Sequence, residues 1–246
     1  MIASALCKME EVKVRFKSQF MTPEVFQKRS NLQENALMLA SKRGRTDIMR
    51  KLLGARDAHG NLLMTSDVFS TADSMGRNAL MIASGNGNTE IVKVLLKSHF
   101  MTPDIFQKRS NLQENALMLA SRYVETDIVR ELLGDRDANG TPLMNPFVFS
   151  MVNYLNRKAL MLASINGKTE VVTVLLESHL MNPDLFGKTE LDRKNALMLA
   201  CRHVETEVVK VFLESQLMNP DFFERTDLEG KNALMLGLGL DCAGLG

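Results

Sequence analysis

A short apolar block with helical spacing recurs along the chain, each time directly behind one polar residue. The block begins as Asn-Ala-Leu-Met-Leu-Ala at Asn35, and Asn-Ala-Leu or Lys-Ala-Leu then returns after 43, 37, 43, 37 and 37 residues. The later copies start at Asn78, Asn115, Lys158, Asn195 and Asn232. Because a fixed period of about 20 to 50 residues is typical of repeat architectures, this spacing predicts an array built from two alternating unit lengths.

Each unit is predicted to contain a pair of helices, A and B. Asn35 is a good N-cap for helix A, since its side-chain oxygen accepts a free backbone N–H. Helix B is predicted after Thr46-Asp47, with Thr46 as the cap and Asp47 at the positive end of the helix dipole. One apolar face is formed by Ile48, Met49, Leu52 and Leu53. A single pair cannot bury this surface, so we expect neighbouring units to stack.

A third, shorter element is predicted in front of helix A. Thr22, Thr102 and Asn182 are each followed by Pro and then by an acid, which is typical of the start of a helical turn. The residues that close this turn, and that we expect to anchor it on the core with the Met before it, are Phe26, Phe106 and Phe186. The longer units carry six further residues, and their Asp-Ala-His-Gly or Asp-Ala-Asn-Gly sequence predicts a chain reversal.

The sequence Asn-Ala-Leu-Met-Leu-Ala-Ser, a break that often contains Gly, and Thr-Glu-Ile-Val-Lys-Val-Leu-Leu together resemble the ankyrin repeat. The resemblance extends from about Met1 to Leu236. It implies an all-α, ankyrin-like helical repeat solenoid with short hairpin or loop fingers, to which this chain adds a short helical turn per repeat. We expect one array over residues 1–246, with a partial repeat at 1–34, repeats starting near 35, 78, 115, 158 and 195, and an incomplete repeat at 232–246.

The chain departs from the family pattern at three places. Asn-Ala replaces the family's Thr-Pro, Met replaces its His, and a Gly two residues before the cap occurs only at Gly76 and Gly230. These changes leave the shape of the fingers open. A tetratricopeptide array would need Trp, and the chain contains none. Because the chain begins inside a helix A and ends in Gly-rich sequence after another, we expect that it is cut from a longer protein.

Composition narrows the range of partners. Thirty basic and 29 acidic residues give a net charge of +1, which offers no electrostatic reason to bind nucleic acid. No apolar run has the roughly 18 to 20 residues of a membrane span. The cysteines, Cys7, Cys201 and Cys242, form neither a disulfide framework nor a metal pair, which favours a reducing, cytoplasmic setting. We expect a monomer that binds neither nucleic acid nor membrane.

Candidate chemistry is sparse. The four His residues are isolated, and Asp135–Gly140 copies only the first half of a calcium-binding loop, since Pro146 stands where the bidentate Glu is required. A turn is the favoured interpretation of that segment. No nucleophile with a base and no phosphate-binding Gly loop occurs. We therefore expect no metal, no cofactor and no enzymatic activity.

The residues that follow Ala-Ser at the end of helix A vary from unit to unit. The resemblance implies that partners bind on the concave face formed by helices A and the fingers, and the candidate contacts are Lys42, Arg43, Asn86, Arg122, Tyr123, Asn166, Arg202 and His203. Their basic and aromatic character favours an acidic or amphipathic partner segment, although the same basic residues would also simply solubilise a helix end. The prediction is a non-catalytic protein-interaction scaffold; the alternative is a targeting or substrate-recruiting segment of a larger multidomain enzyme or secreted effector.

Overall fold

The computed structural model describes residues 22–238 except residues 58, 124–125, 135 and 137–139. The predictions for the chain start up to residue 21, for the tail from residue 239, and for Cys7 and Cys242 lie outside these described residues. So do residues 135 and 137–139 of the calcium-like loop. The single array over 1–246 stays a prediction.

Helices account for the regular structure of the described residues, which confirms the all-α prediction. In chain order they are α1 (Pro23–Gln27), α2 (Ala36–Arg43), α3 (Thr46–Leu53), α4 (Ser66–Ser70), α5 (Ala79–Gly85), α6 (Thr89–Leu96), α7 (Pro103–Phe106), α8 (Ala116–Tyr123), α9 (Thr126–Gly134), α10 (Pro146–Ser150), α11 (Ala159–Ile165), α12 (Thr169–Glu177), α13 (Pro183–Phe186), α14 (Ala196–Arg202), α15 (Thr206–Glu214), α16 (Asp221–Glu224) and α17 (Ala233–Gly237). A short helix, a helix A and a helix B follow one another throughout.

The chain divides into two compact units. Unit 1 comprises the residues up to Ala116 together with Glu131–Met144, and unit 2 comprises Leu117–Arg130 together with the residues from Asn145 onward. In unit 1, helix A α2 packs on α5, and helix B α3 packs on α6. In unit 2, α11 packs on α14, α14 packs on α17, and α12 packs on α15. Each unit is therefore built by stacking like helices, as the shared apolar faces predict.

Asparagine caps begin most A helices. The Oδ1 atoms of Asn35, Asn78 and Asn195 each accept the backbone N–H three residues on, at 2.9 Å. Asn35 also bonds to the next short helix, because its Nδ2 donates to the carbonyl of Val68 in α4 at 2.9 Å. The predicted caps of helix A are thus confirmed at these positions, whereas Lys158 makes no side-chain cap bond.

The predicted cap of helix B is wrong. Thr46 is the first helical residue of α3, and Arg45, which precedes it, makes no side-chain cap bond. The connection between α2 and α3 contains only Gly44 and Arg45, with φ of +65° at Gly44. Because the reversal is so short, Thr46 already belongs to the helix, and the N–H of Arg45 donates to the carbonyl of Ala40 at 3.1 Å.

The short helices are capped as predicted. Thr102 Oγ1 accepts the N–H of Ile105 at 3.4 Å and Asn182 Oδ1 accepts that of Leu185 at 2.9 Å. The three predicted anchors, Phe26, Phe106 and Phe186, are buried. Two further short helices, α4 and α10, begin in the same way within the longer units, so the element is not confined to the three copies recognised in the sequence.

The six extra residues of the longer units form a narrow reversal. An isolated antiparallel bridge joins Arg56 to Leu62, and another joins Arg136 to Pro142. Between the first pair, Asp57 Oδ1 accepts the backbone N–H groups of His59 at 2.8 Å and Asn61 at 2.9 Å. The predicted turn is therefore confirmed at Asp57.

The methionines of five A helices lie in the core. The exposed fraction is between 0% and 2% for all five, which are Met38, Met81, Met118, Met161 and Met198. Met235 of α17 is exposed to 39%. The prediction that these methionines fill the core is confirmed for the five, where the flexible thioether adapts to its neighbours.

Candidate functional site

The eight candidate contact residues all lie at the C-terminal ends of helices A. Unit 1 holds three of them, at the ends of α2 and α5: Lys42, Arg43 and Asn86. Unit 2 holds the other five, at the ends of α8, α11 and α14: Arg122, Tyr123, Asn166, Arg202 and His203. Each unit thus carries its own row of candidates.

In unit 1, two of the three candidates have structural partners. Lys42 Nζ lies 2.9 Å from Oε1 of the buried Glu34, in the connection that leads into α2. Asn86 Nδ2 donates to the Lys42 carbonyl at 3.4 Å, and Asn88 Nδ2 donates to that of Ser41 at 2.6 Å. These bonds satisfy carbonyls at the end of α2 and join it to the next repeat. Arg43 projects from the same turn as an exposed cation.

In unit 2, Tyr123 is the most prominent candidate. Its side chain is 57% exposed, and the Arg122 guanidinium carbon lies 5.5 Å from its ring centroid. Asn166 Nδ2 donates to the Leu162 carbonyl at 2.7 Å, which closes the end of α11. Arg202 and His203 are both exposed. A large aromatic ring held by a cation is the kind of group that contributes most to protein interfaces.

A groove runs beside Tyr123 in unit 2. Its volume is about 710 Å³, and its lining includes Thr126, Lys168 and Glu170 from the starts of α9 and α12. Thr126 Oγ1 donates to Glu170 Oε2 at 2.8 Å across the groove. Sequence reasoning selected Tyr123 and missed these polar lining residues, because Thr46, which begins the corresponding helix α3, was interpreted as a cap.

Val204 is a second feature that sequence reasoning missed. It lies in the turn after α14, where the corresponding turns contain Gly44, Gly87 and Gly167, and its φ is +60°. A β-branched residue rarely adopts this conformation, yet Val204 is 75% exposed. The available signal was the replacement of the usual Gly by Val next to His203. The turn thus exposes an apolar side chain beside a candidate contact residue.

The fingers are the turns that precede each helix A. In each, the residue two positions before the cap has positive φ, whether or not it is glycine: these are Gln33, Gly76, Gln113, Asn156, Arg193 and Gly230. A polar side chain closes the turn, as when Asp73 Oδ1 accepts the N–H groups of Met75 and Arg77, both at 2.9 Å. The fingers are therefore tight loops with the same backbone in all six copies, which completes the finger shape that the sequence left open.

Neighbouring fingers are bonded to one another within each unit. In unit 1, Ser74 N–H donates to the Leu32 carbonyl at 2.9 Å. In unit 2, Leu228 N–H donates to the Asp192 carbonyl at 3.1 Å. Ion pairs in unit 2 reinforce these bonds, and Arg157 Nη2 lies 2.9 Å from Oε2 of Glu190. These bonds thus fix the position of each fingertip relative to the next one in the same unit.

Apolar side chains are exposed on these fingertips. In unit 1 they are Leu32, Met75 and Leu112, and in unit 2 they are Tyr154, Leu191 and Leu228. Sequence reasoning did not select them, although an apolar residue recurring inside a polar turn was visible. A row of exposed apolar side chains on a bonded scaffold is suited to contact with another protein.

Other chemistry is limited in the part of the chain that the structure describes. That part contains no group of three or more His, Cys, Asp or Glu residues placed to hold a metal ion. None of its helices is long and apolar enough to cross a membrane. Cys201 carries a free thiol, and burial raises its pKa above the usual value.

Comparison with known proteins agrees with the stacked helix pairs and their fingers. A family model described as "Ankyrin repeats (3 copies)" matches five overlapping segments, at residues 19–105, 37–142, 103–186, 138–216 and 160–243. No curated protein matches the chain. The matched segments together cover most of the sequence, so the predicted resemblance and fold class are confirmed. The chain belongs to the ankyrin-repeat family.

Proposed function

We propose that this protein is a non-catalytic scaffold that binds a partner protein on its fingers and on the ends of its A helices. Ankyrin repeats are generally protein–protein interaction modules. The observation that carries the proposal is the set of exposed apolar and aromatic side chains at these two places, above all Tyr123 beside its groove. Such side chains contribute disproportionately to binding energy when a partner buries them.

The charge beside these side chains supports a partner segment with acidic residues. Arg43 and Arg202 are exposed at the ends of α2 and α14, and Arg122 lies against the ring of Tyr123. Arginine pairs with carboxylates through two parallel hydrogen bonds, so it combines charge with geometric selectivity. An amphipathic segment would satisfy the rings and the guanidinium groups together.

The test is affinity capture from cells of the source organism, followed by titration of each recovered protein against purified variants. The test variants are Arg43→Ala, Tyr123→Ala and His203→Ala. Each should weaken the affinity of a true partner by about fivefold to thirtyfold, which corresponds to roughly 1 to 2 kcal/mol.

Matched controls remove exposed charge from the helices B, through Arg50→Ala, Arg130→Ala and Lys210→Ala. These residues are exposed and belong to helices B rather than to the helix A ends or the fingers. Their loss should leave the affinity unchanged. If the two sets of variants weaken binding equally, or neither set does, the helix A ends are not the binding site.

A further inference from the structure

The fingertips of the two units differ in the charge that surrounds their apolar side chains. We define the unit 1 fingertip row as Leu32, Met75 and Leu112, all of which are exposed. The same three turns contain the acids Glu34, Asp73 and Glu114, and all three are buried. Glu34 pairs with Lys42 at 2.9 Å and Asp73 pairs with Arg77 at 2.8 Å. The acids of these three turns are therefore buried and do not add negative charge to the exposed tips.

Basic residues flank the row on the surface. Lys28 and Arg29 precede the first turn, and Lys108 and Arg109 precede the third, and all four are exposed. Arg29 Nε donates to the Gln33 carbonyl at 2.9 Å and its guanidinium also donates to the Ala72 carbonyl, so this cation is held against the tips. Lys108 Nζ donates to the Ser70 carbonyl at 2.9 Å.

Exposed acids do occur nearby, but at a different place. Glu24, Asp67 and Asp104 lie in the first turns of the short helices α1, α4 and α7. Glu24 and Asp104 precede the two basic pairs along the chain. The tips themselves expose only apolar and uncharged side chains. The row is therefore apolar with a basic flank.

The unit 2 tips provide a contrast within the same chain. Leu191 and Leu228 are exposed there too, but Asp192 and Glu229 stand directly beside them and are exposed as well. Asp192 is also the residue whose carbonyl accepts the N–H of Leu228. The unit 2 tips thus differ from the unit 1 row by exposed carboxylates beside their leucines, although the exposed cation Arg193 directly follows Asp192.

The spacing of the unit 1 fingertip row suits an extended chain. Leu32 and Ser74 are joined by one backbone hydrogen bond of 2.9 Å, and Met75 and Asn111 by another of 2.9 Å. Successive apolar residues are thus linked by a step of about 5 Å across a bond and a step of about 4 Å along the chain, so that they lie at most about 9 Å apart. Side chains on one face of an extended strand repeat every ~7 Å.

We propose that the unit 1 fingertip row binds an extended partner segment in which apolar residues alternate with acidic ones. The apolar side chains contact Leu32, Met75 and Leu112, while the carboxylates meet the basic flank. This inference rests on the proposed function and specifies the chemistry of the partner at the fingers.

The test uses the full chain and a fluorescein-labelled peptide, Glu-Leu-Glu-Leu-Glu-Leu-Glu, with binding followed by fluorescence anisotropy. Peptides with Lys in place of Glu, or Ser in place of Leu, are the matched probes. We expect the Glu/Leu peptide to bind at least about tenfold more tightly than either matched probe. The Lys peptide loses the attraction to the basic flank, and the Ser peptide loses the apolar contacts. Raising the salt concentration should weaken its binding.

The variants use the contrast between the two units. Combining Leu32→Asn, Met75→Asn and Leu112→Asn should weaken the Glu/Leu peptide by about tenfold or more. Combining Leu191→Asn and Leu228→Asn removes exposed leucines that stand directly beside exposed carboxylates, which repel an acidic peptide, and should leave its affinity unchanged. Replacing Lys28 and Arg109 with Gln should reduce the preference for Glu over Lys in the peptide.

Three results would overturn the inference: no binding of the Glu/Leu peptide, equal binding of the Glu and Lys peptides, or an equal loss of affinity in the unit 1 and unit 2 fingertip variants. Circular dichroism of each variant ensures that a loss of binding is not a loss of folding. The proposed function fails separately, since it depends on Arg43, Tyr123 and His203 in the titration of captured partners.

Discussion

Lys194 Nζ lies 3.3 Å from Oδ2 of Asp227, and both side chains are buried, with exposed fractions of 3% and 0%. The two residues belong to consecutive fingers of unit 2. Asp227 Oδ1 also accepts the backbone N–H groups of Glu229 at 2.9 Å and Lys231 at 3.0 Å. One carboxylate therefore both shapes its own turn and joins it to the preceding finger.

Removing only the cation of this pair should be costly. Lys194→Met leaves the buried Asp227 carboxylate without its counter-charge, and we expect the free energy of unfolding to fall by about 3 kcal/mol. Urea titration followed by circular dichroism measures the change. The double variant Lys194→Met with Asp227→Asn should recover most of the loss, because Asn153 already closes the equivalent turn in another finger. A double variant as unstable as Lys194→Met would contradict this account.

Asp227 should also make stability depend on pH in the acid range. Burial by itself raises the pKa of its carboxyl, but the N–H groups of Lys231 and Glu229 and the charge of Lys194 outweigh it, and the pKa is lowered from 3.8. A carboxyl with a lowered folded-state pKa contributes stability that is present above the unfolded pKa and lost as the pH falls through the folded pKa. Melting temperatures measured downward from neutral pH should fall less steeply below 3.8 in Asp227→Asn than in the wild type.

Two glycines at the same finger position should respond differently to substitution. Gly76 and Gly230 have φ of +75° and +76°. A Cβ on Gly76 would lie 2.8 Å from the backbone nitrogen of Asn111, whereas a Cβ on Gly230 would meet nothing within 4 Å. We expect Gly230→Ala to lower the free energy of unfolding by about 1 kcal/mol through the left-handed backbone alone. Gly76→Ala should cost about 3 kcal/mol, since a clash is added. Equal losses in denaturant titration would mean that the fingers separate easily.

Val204 should be a position where glycine stabilises. Its φ of +60° is costly for a β-branched residue, and its side chain is exposed, so little packing is lost. We expect Val204→Gly to raise the free energy of unfolding by about 1 kcal/mol, after the greater freedom of glycine in the unfolded chain is subtracted. Lys210→Gly, at an exposed position in the middle of helix α15, is the matched control and should lower the free energy of unfolding by about 1 kcal/mol. A loss of stability in Val204→Gly would show that the side chain packs in solution.

Lys158 occupies the cap position of α11 without capping it, and Lys158→Asn should correct this. Its amine is half-buried and donates to the Ser150 carbonyl, and burial, with the charge of Lys188, lowers its pKa. We expect Lys158→Asn to raise the free energy of unfolding by about 1 kcal/mol, because a cap bond is gained. Asn78→Ala, which removes such a bond from α5, should lower it by about 1 to 2 kcal/mol. The idea fails if thermal unfolding shows Lys158→Asn to be less stable than the wild type.

Local pattern was sufficient to predict helices A and B and three of the short helices with their anchors, but not α4 or α10. The spacing of Ile48, Met49 and Leu52 identified the buried face of α3, and Pro after a capping residue identified α1, α7 and α13. The Thr46 cap was wrong because the length of the turn before it depends on how helix A and helix B pack, which a cap motif does not contain.

The interaction surface was predicted less completely, and the reason lies in burial. Leu32 and Leu37 are both leucines within a few residues, yet Leu32 is exposed and Leu37 is buried. Residue type alone does not give their exposure, because the neighbouring finger and helix decide which side chain is covered. The pairing of Arg157 with Glu190 also depends on the stacking, since 33 residues separate the two.

Because the methionines of five A helices are buried, the rate at which each one is oxidised would report how often its helix opens. A thioether that is almost fully enclosed cannot meet peroxide until its helix moves, and a sulfoxide formed there is too polar to return to the same space. Oxidation of Met161 would thus disturb the packing of α11, whereas Met235, already in contact with water, can react first with little structural effect.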